Sequence, residues 1–89
     1  MSPTLDELYD GMISINHAAN VAEMQRVDLV NAATKEGIDT KMGFDIDDLI
    51  RLLGKLSVMS YEPERKAKLR SAMQRFVEER DNPRSRDGR

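Results

Sequence analysis

The chain has no cysteine. That excludes a disulfide framework, a thiolate nucleophile and a cysteine metal site, and it fits a reducing, cytoplasmic compartment. With a single histidine, a zinc site would need carboxylates for nearly all its ligands, which is not how zinc is usually held. Tryptophan is absent, and the aromatic residues are Tyr9, Phe44, Tyr61 and Phe76. No run of aromatics is available for stacking nucleic-acid bases. Glycine is sparse; Gly43 and Gly54 stand alone, and no Gly-Lys-Ser/Thr follows a strand, so a phosphate-binding loop is excluded. No apolar run approaches the roughly 20 residues of a membrane span. Met1 to Glu7 has neither the basic start nor the apolar centre of a signal peptide. No membrane association, cofactor or metal is expected.

What is present is length for one small domain and a divided charge. The 89 residues can bury only a modest fraction of their surface, and domains of this size often lean on a partner. Met1 to Asp48 carries ten acidic and three basic residues, a balance of −7; Leu49 to Arg89 carries six and eleven, a balance of +5, giving −2 overall. Halves of opposite sign can attract one another within or between chains.

The most regular stretch is Leu5 to Glu36. Apolar residues recur in sevens at Leu5, Leu8, Met12, Ile15, Ala19, Ala22, Leu29 and Ala33, and only Arg26 interrupts them. Steps of three and four place them on one narrow helical stripe, the pattern of a helix packed lengthwise on another. Thr4 and Glu7 match a capping box at the start. Gly37 and Ile38 match a Schellman ending, with Ile38 folding back on Ala33. The middle of the stripe is small, at Ala18, Ala19 and Ala22; past Arg26 it broadens to Val27, Leu29, Val30 and Ala33.

After a loop from Gly37 to Phe44, a second helix is expected over 46–59. Asp45 caps it, and Phe44 and Leu49 form a hydrophobic staple. Its apolar residues cover more than one face, as in a helix sandwiched at the centre of a core. Pro63 suits the first turn of a third helix over 63–80, with Leu69, Ala72, Met73, Phe76 and Val77 inward. Asp81 to Arg89, with Pro83, Gly88 and alternating charge, reads as a disordered tail. There is no internal repeat. The expected fold is all-α: a single domain over 1–80, in which a long helix at about 5–36 is packed by a shorter two-helix hairpin, followed by the tail at 81–89.

Chemistry-bearing residues are few. His17 lies opposite the stripe with no orienting partner in sequence, and reads as a solvated surface residue. Asp39, Asp45, Asp47 and Asp48 do not have calcium-loop spacing, because Lys41 and Gly43 fall where ligands would be needed. Capping and the helix dipole account for them. No catalytic residue is assigned, and an enzyme is the least favoured class.

The second and third helices span roughly 21 and 27 Å against roughly 48 Å for the first. They fall short of its N-terminal half, so Leu5, Leu8, Met12, Ile15 and Ala19 are expected to bind a partner helix, in a homodimer or a hetero-complex. Arg26 would mark the boundary with the chain's own core. A monomeric alternative breaks the first helix near Gly11 or Asn16 to Asn20 and folds it into a four-helix bundle. The expected function is that of a non-enzymatic helical interaction protein of adaptor, chaperone or regulator type. One alternative is a dimeric nucleic-acid-binding regulator, ranked lower, using Arg65, Lys66, Lys68, Arg70, Arg75, Arg84 and Arg86, residues that could equally meet an acidic partner. Another is a self-assembling structural subunit.

Overall fold

The computed structural model describes residues 12–81. Over these residues the chain is mostly α-helical, with four helices and one small sheet: β1 (Met12–Ile13), α1 (Ile15–Ala22), α2 (Arg26–Lys35), β2 (Phe44–Asp45), α3 (Ile46–Met59) and α4 (Pro63–Asp81). The order strand, helix, helix occurs twice. The two strands pair antiparallel, Met12 opposite Asp45 and Ile13 opposite Phe44, so they tie the starts of the two units together.

Each strand leads into a capped helix. Ser14 is extended and its hydroxyl accepts from the His17 backbone N–H at 3.1 Å. Asp45 is likewise extended and its carboxylate accepts from the Asp47 backbone N–H at 2.9 Å. Such caps satisfy donors that the first helical turn leaves open. Gly43, just before β2, has φ +102°, and a Cβ there would lie 2.6 Å from the Ile13 carbonyl oxygen. A glycine at this point lets the two strand backbones approach.

The expected unbroken helix over 5–36 is not what forms. Residues 12–13 are extended, and residues 15–35 are divided by a turn at Glu23 to Gln25. Glu23 takes the left-handed conformation, φ 57° and ψ 48°. Its N–H donates to the Asn20 carbonyl at 3.2 Å, and the Met24 N–H to the Ala19 carbonyl at 3.0 Å. That is a Schellman ending with glutamate where glycine is usual. Leu29 and Ala33, which the stripe assigned to the chain's own core, are buried, and so are Ala19 and Ala22. Arg26, the one exception in the stripe, is the first residue of α2.

The α3–α4 hairpin agrees with its expected bounds to within one residue. It is closed at both ends. Arg80 meets Asp47 at 2.9 Å, and the Lys66 ammonium donates to the Ser57 and Val58 carbonyls at 2.9 and 3.4 Å, capping α3. Leu49, Leu52 and Leu53 of α3 are buried with Leu69, Ala72 and Phe76 of α4. The sandwiching expected of α3 does not extend to its last turn, where Val58 and Met59 are exposed. Asp81, assigned from sequence to the tail, ends α4; the rest of that tail lies outside the described residues.

α1 runs antiparallel to α4, with His17 beside Phe76 and Glu23 beside Lys68. Lys55 of α3 pairs with Glu36 just past α2 at 2.9 Å. The core contains Leu29, Phe44 and Phe76 at full burial. Burying each such side chain contributes roughly 1.5–3 kcal/mol.

Candidate interaction surface

The folding back of α1 decides what the stripe can do. Of the five residues expected to bind a partner, Leu5 and Leu8 lie outside the described residues. Met12 is half-buried in a strand rather than on a helix. Ile15 is half-buried against the core, and Ala19 is 4% exposed inside it. The expected exposed strip therefore does not form over Met12 to Ala19. The turn at Glu23 brings α1 alongside α4, and the small side chains Ala18, Ala19 and Ala22 allow the close approach. Length comparison failed here because it treated α1 and α2 as one rigid rod.

A different apolar feature appears at that turn. α1 and α2 diverge around an open groove lined by Asn16, Ala19, Asn20, Met24, Arg26, Val27 and Val30, with Gln25 at its end. Val27 is 61% exposed, while Met24 and Val30 are half-buried. The groove thus combines apolar side chains, Met24, Val27 and Val30, with the polar Asn16, Asn20, Gln25 and Arg26. Its sequence signal was the broadening of the apolar face past Arg26, where Val27 and Val30 exceed what a narrow seam needs. A second apolar patch, Val58, Met59 and Tyr61, stands at the corner between α3 and α4, with Tyr61 99% exposed.

The basic residues of α4 do not form one surface. Lys66 is spent on the α3 carbonyls. Lys68 pairs with Glu23 at 2.9 Å, and the hydrogen bond to Glu23, followed by its charge, raises the Lys68 pKa. Arg80 is similarly raised by its hydrogen bonds to Asp47 and Asp81. Arg65, Arg70 and Arg75 are exposed and make no ion pair among the described residues. At 3.6 residues per turn, Lys68 and Arg70 point roughly 160° apart, so they flank opposite sides of α4. Lys68, Ser71 and Arg75 do converge, on a shallow groove beside Val21 and Glu23. Arg84 and Arg86 lie outside the described residues.

The polar residues singled out in sequence have structural work. Asp45 caps α3, Asp47 holds Arg80, Asp48 pairs with Arg51, and the Asp39 carboxylate accepts from the Lys41 backbone N–H at 3.0 Å. His17 is exposed, with its ring edge-on to Phe76 at a centroid distance of 5.7 Å. No helix among the described residues is long and apolar enough to cross a membrane. No protein-family model, curated protein or solved structure matches the chain.

Proposed function

We propose that this chain is a non-enzymatic helical interaction protein that takes an amphipathic helix of another protein into the groove between α1 and α2. The observation that carries this reading is Val27, a large aliphatic side chain 61% exposed at the edge of that groove. Helix-in-groove recognition needs an apolar trough, and a polar rim sets the register of the guest. Met24, Val27 and Val30 are the groove's apolar lining, and Asn16, Asn20, Gln25 and Arg26 its polar lining. Methionine suits such a surface because its unbranched, polarizable side chain adapts to its guest. The non-enzymatic part of the proposal is supported by the structural roles of Asp39, Asp45, Asp47 and Asp48. A cytoplasmic setting belongs to the same proposal and rests on the absence of cysteine.

Val27→Glu is the direct test. The site is exposed, so the substitution should leave helicity and melting temperature nearly unchanged while abolishing capture of the partner that wild-type protein retains in a pull-down read by native mass spectrometry. Equal capture by both proteins would place the contact elsewhere. A second reading, a nucleic-acid-binding regulator, draws on Arg65, Arg70 and Arg75, which lack ion-pair partners among the described residues. Its phosphate contacts would weaken steeply as salt rises. Failure to shift any duplex or single-stranded oligonucleotide at low salt would remove it.

A further inference from the structure

The junction between α1 and α2 is made of residues poorly suited to it. Glu23 sits at φ 57°, a conformation that glycine adopts freely and other residues resist. Gln25, at the N-cap of α2, makes no side-chain capping hydrogen bond. Glu, Met and Gln are all good helix formers. The helical stripe passes through the junction without losing step, from Ala19 and Ala22 to Leu29 and Ala33. Local preference across 23–25 therefore favours a continuous helix, and the turn is imposed from outside.

What imposes it is the docking of β1 and α1. Ile13 pairs with Phe44. Ala18, Ala19 and Ala22 are buried, His17 lies on Phe76, and Glu23 reaches Lys68. Apart from contacts with α2 beside the junction, these contacts require only that some β2–α3–α4 unit be present, and a second copy offers an identical one.

We propose that residues 23–25 are a hinge through which two copies of this chain exchange β1 and α1. In the exchanged form α1 and α2 join into one helix over 15–35, roughly 31 Å long. Each chain's β1 pairs with the other's β2, and each α1 packs on the other's α4. The buried contacts re-form between chains with the same chemistry, the left-handed residue is relieved, and the two-fold exchange closes on itself as a dimer. Short hinge loops under strain favour such exchange. The groove between α1 and α2 is lost when the hinge straightens, so this inference is separate from the proposed function, and one molecule cannot do both at once.

The test uses the full chain in size-exclusion chromatography with light scattering over a concentration series. Wild-type protein should pass from monomer to dimer as concentration rises. Glu23→Ala with Gln25→Ala keeps helix preference high without easing the left-handed turn, and removes the Glu23 carboxylate that pairs with Lys68. It should tighten the dimer modestly, by roughly 2- to 3-fold for each of the two hinges, from the gain in helix preference alone. Glu23→Gly with Gln25→Asp supplies the left-handed residue and the missing cap, and should hold the protein monomeric. Because the chain lacks cysteine, Met12→Cys with Asp45→Cys, a cross-strand pair, reports the exchange. Its disulfide should link two chains in the dimer fraction and stay within one chain in the monomer. A protein that remains monomeric up to its solubility limit would overturn the proposal. So would a dimer whose disulfide stays within each chain. If the double-alanine variant fails to fold, the wild-type series and the disulfide decide the question alone.

Discussion

Two helix endings in this protein have the same hydrogen-bond pattern and different residues at their centre. After α2, Gly37 has φ +73°, its N–H donates to the Thr34 carbonyl at 3.0 Å, and the Ile38 N–H donates to the Ala33 carbonyl at 2.9 Å. After α1, Glu23 and Met24 make the corresponding bonds to Asn20 and Ala19. At Gly37 the local chemistry chooses the turn. At Glu23 the turn opposes local preference by about 1–2 kcal/mol. Packing decides against that cost, because α1 covers Phe76 and neighbouring core residues, each worth roughly 1.5–3 kcal/mol when buried. One ending is written into its own residues; the other is held by contacts made far along the chain.

The largest predicted effect is at a third residue with positive φ, where both influences coincide. Gly43 has φ +102°, and an added Cβ would meet backbone atoms of Ile13 at 2.6 and 3.3 Å. Neither atom can turn aside as a side-chain tip would. Gly43→Ala should cost about 3 kcal/mol or more from conformational strain and overpacking together. For a domain of this size that is a fall in melting temperature of roughly 12 °C or more. A loss no greater than that of Gly37→Ala would mean that the β1–β2 pairing yields easily.

Substitution at the two endings should act in opposite directions. Gly37 has open space where a Cβ would go, so Gly37→Ala isolates backbone strain and should destabilise by about 1 kcal/mol. Glu23→Gly relieves the same strain but removes an exposed ion pair with Lys68, whose net worth solvent screening keeps small. The net should be a gain of about 0.5–1 kcal/mol. Thermal melts of both variants check the pair; destabilisation by Glu23→Gly would show that the turn depends on the glutamate side chain more than on its backbone.

The same contrast explains what could be read from sequence. The Schellman ending at Gly37, the Asp45 cap and the limits of α3 and α4 all follow from local chemistry and agree with the observed elements, and the expected staple residues Phe44 and Leu49 are both buried. The heptad stripe placed Leu29 and Ala33 in the chain's own core, where they are buried; Ala19, expected to meet a partner, is buried there as well. The stripe could not show that the chain turns between Ala22 and Leu29, because a turn built from helix-forming residues leaves the spacing intact. Ser14 and Arg26 were the available signals, a capping residue in the middle of the supposed rod and a charge on its seam. β1 and β2 are two residues each, too short for an alternating pattern to register. The candidate groove was missed for the same reason: it exists only because the rod is broken.

The smallest effect concerns the side chain that Glu23 has and Gly37 lacks. Lys68 is raised above its ordinary pKa of 10.5, first by the hydrogen bond to Glu23 and then by its charge. A lysine whose folded pKa exceeds its unfolded value contributes its full stabilisation below the unfolded pKa and loses it as pH rises through the folded one. Wild-type protein should therefore melt slightly above Glu23→Gln at neutral pH. The gap should close only as pH climbs past 10.5 toward the raised value. Because the pair is exposed, high salt should narrow the same gap at neutral pH. Glu23→Gln keeps a non-glycine residue at the left-handed position, so strain is nearly equal in both proteins and the difference reports the carboxylate. A gap indifferent to both pH and salt would mean that the ion pair does not offset the turn, leaving docking of α1 as its sole support.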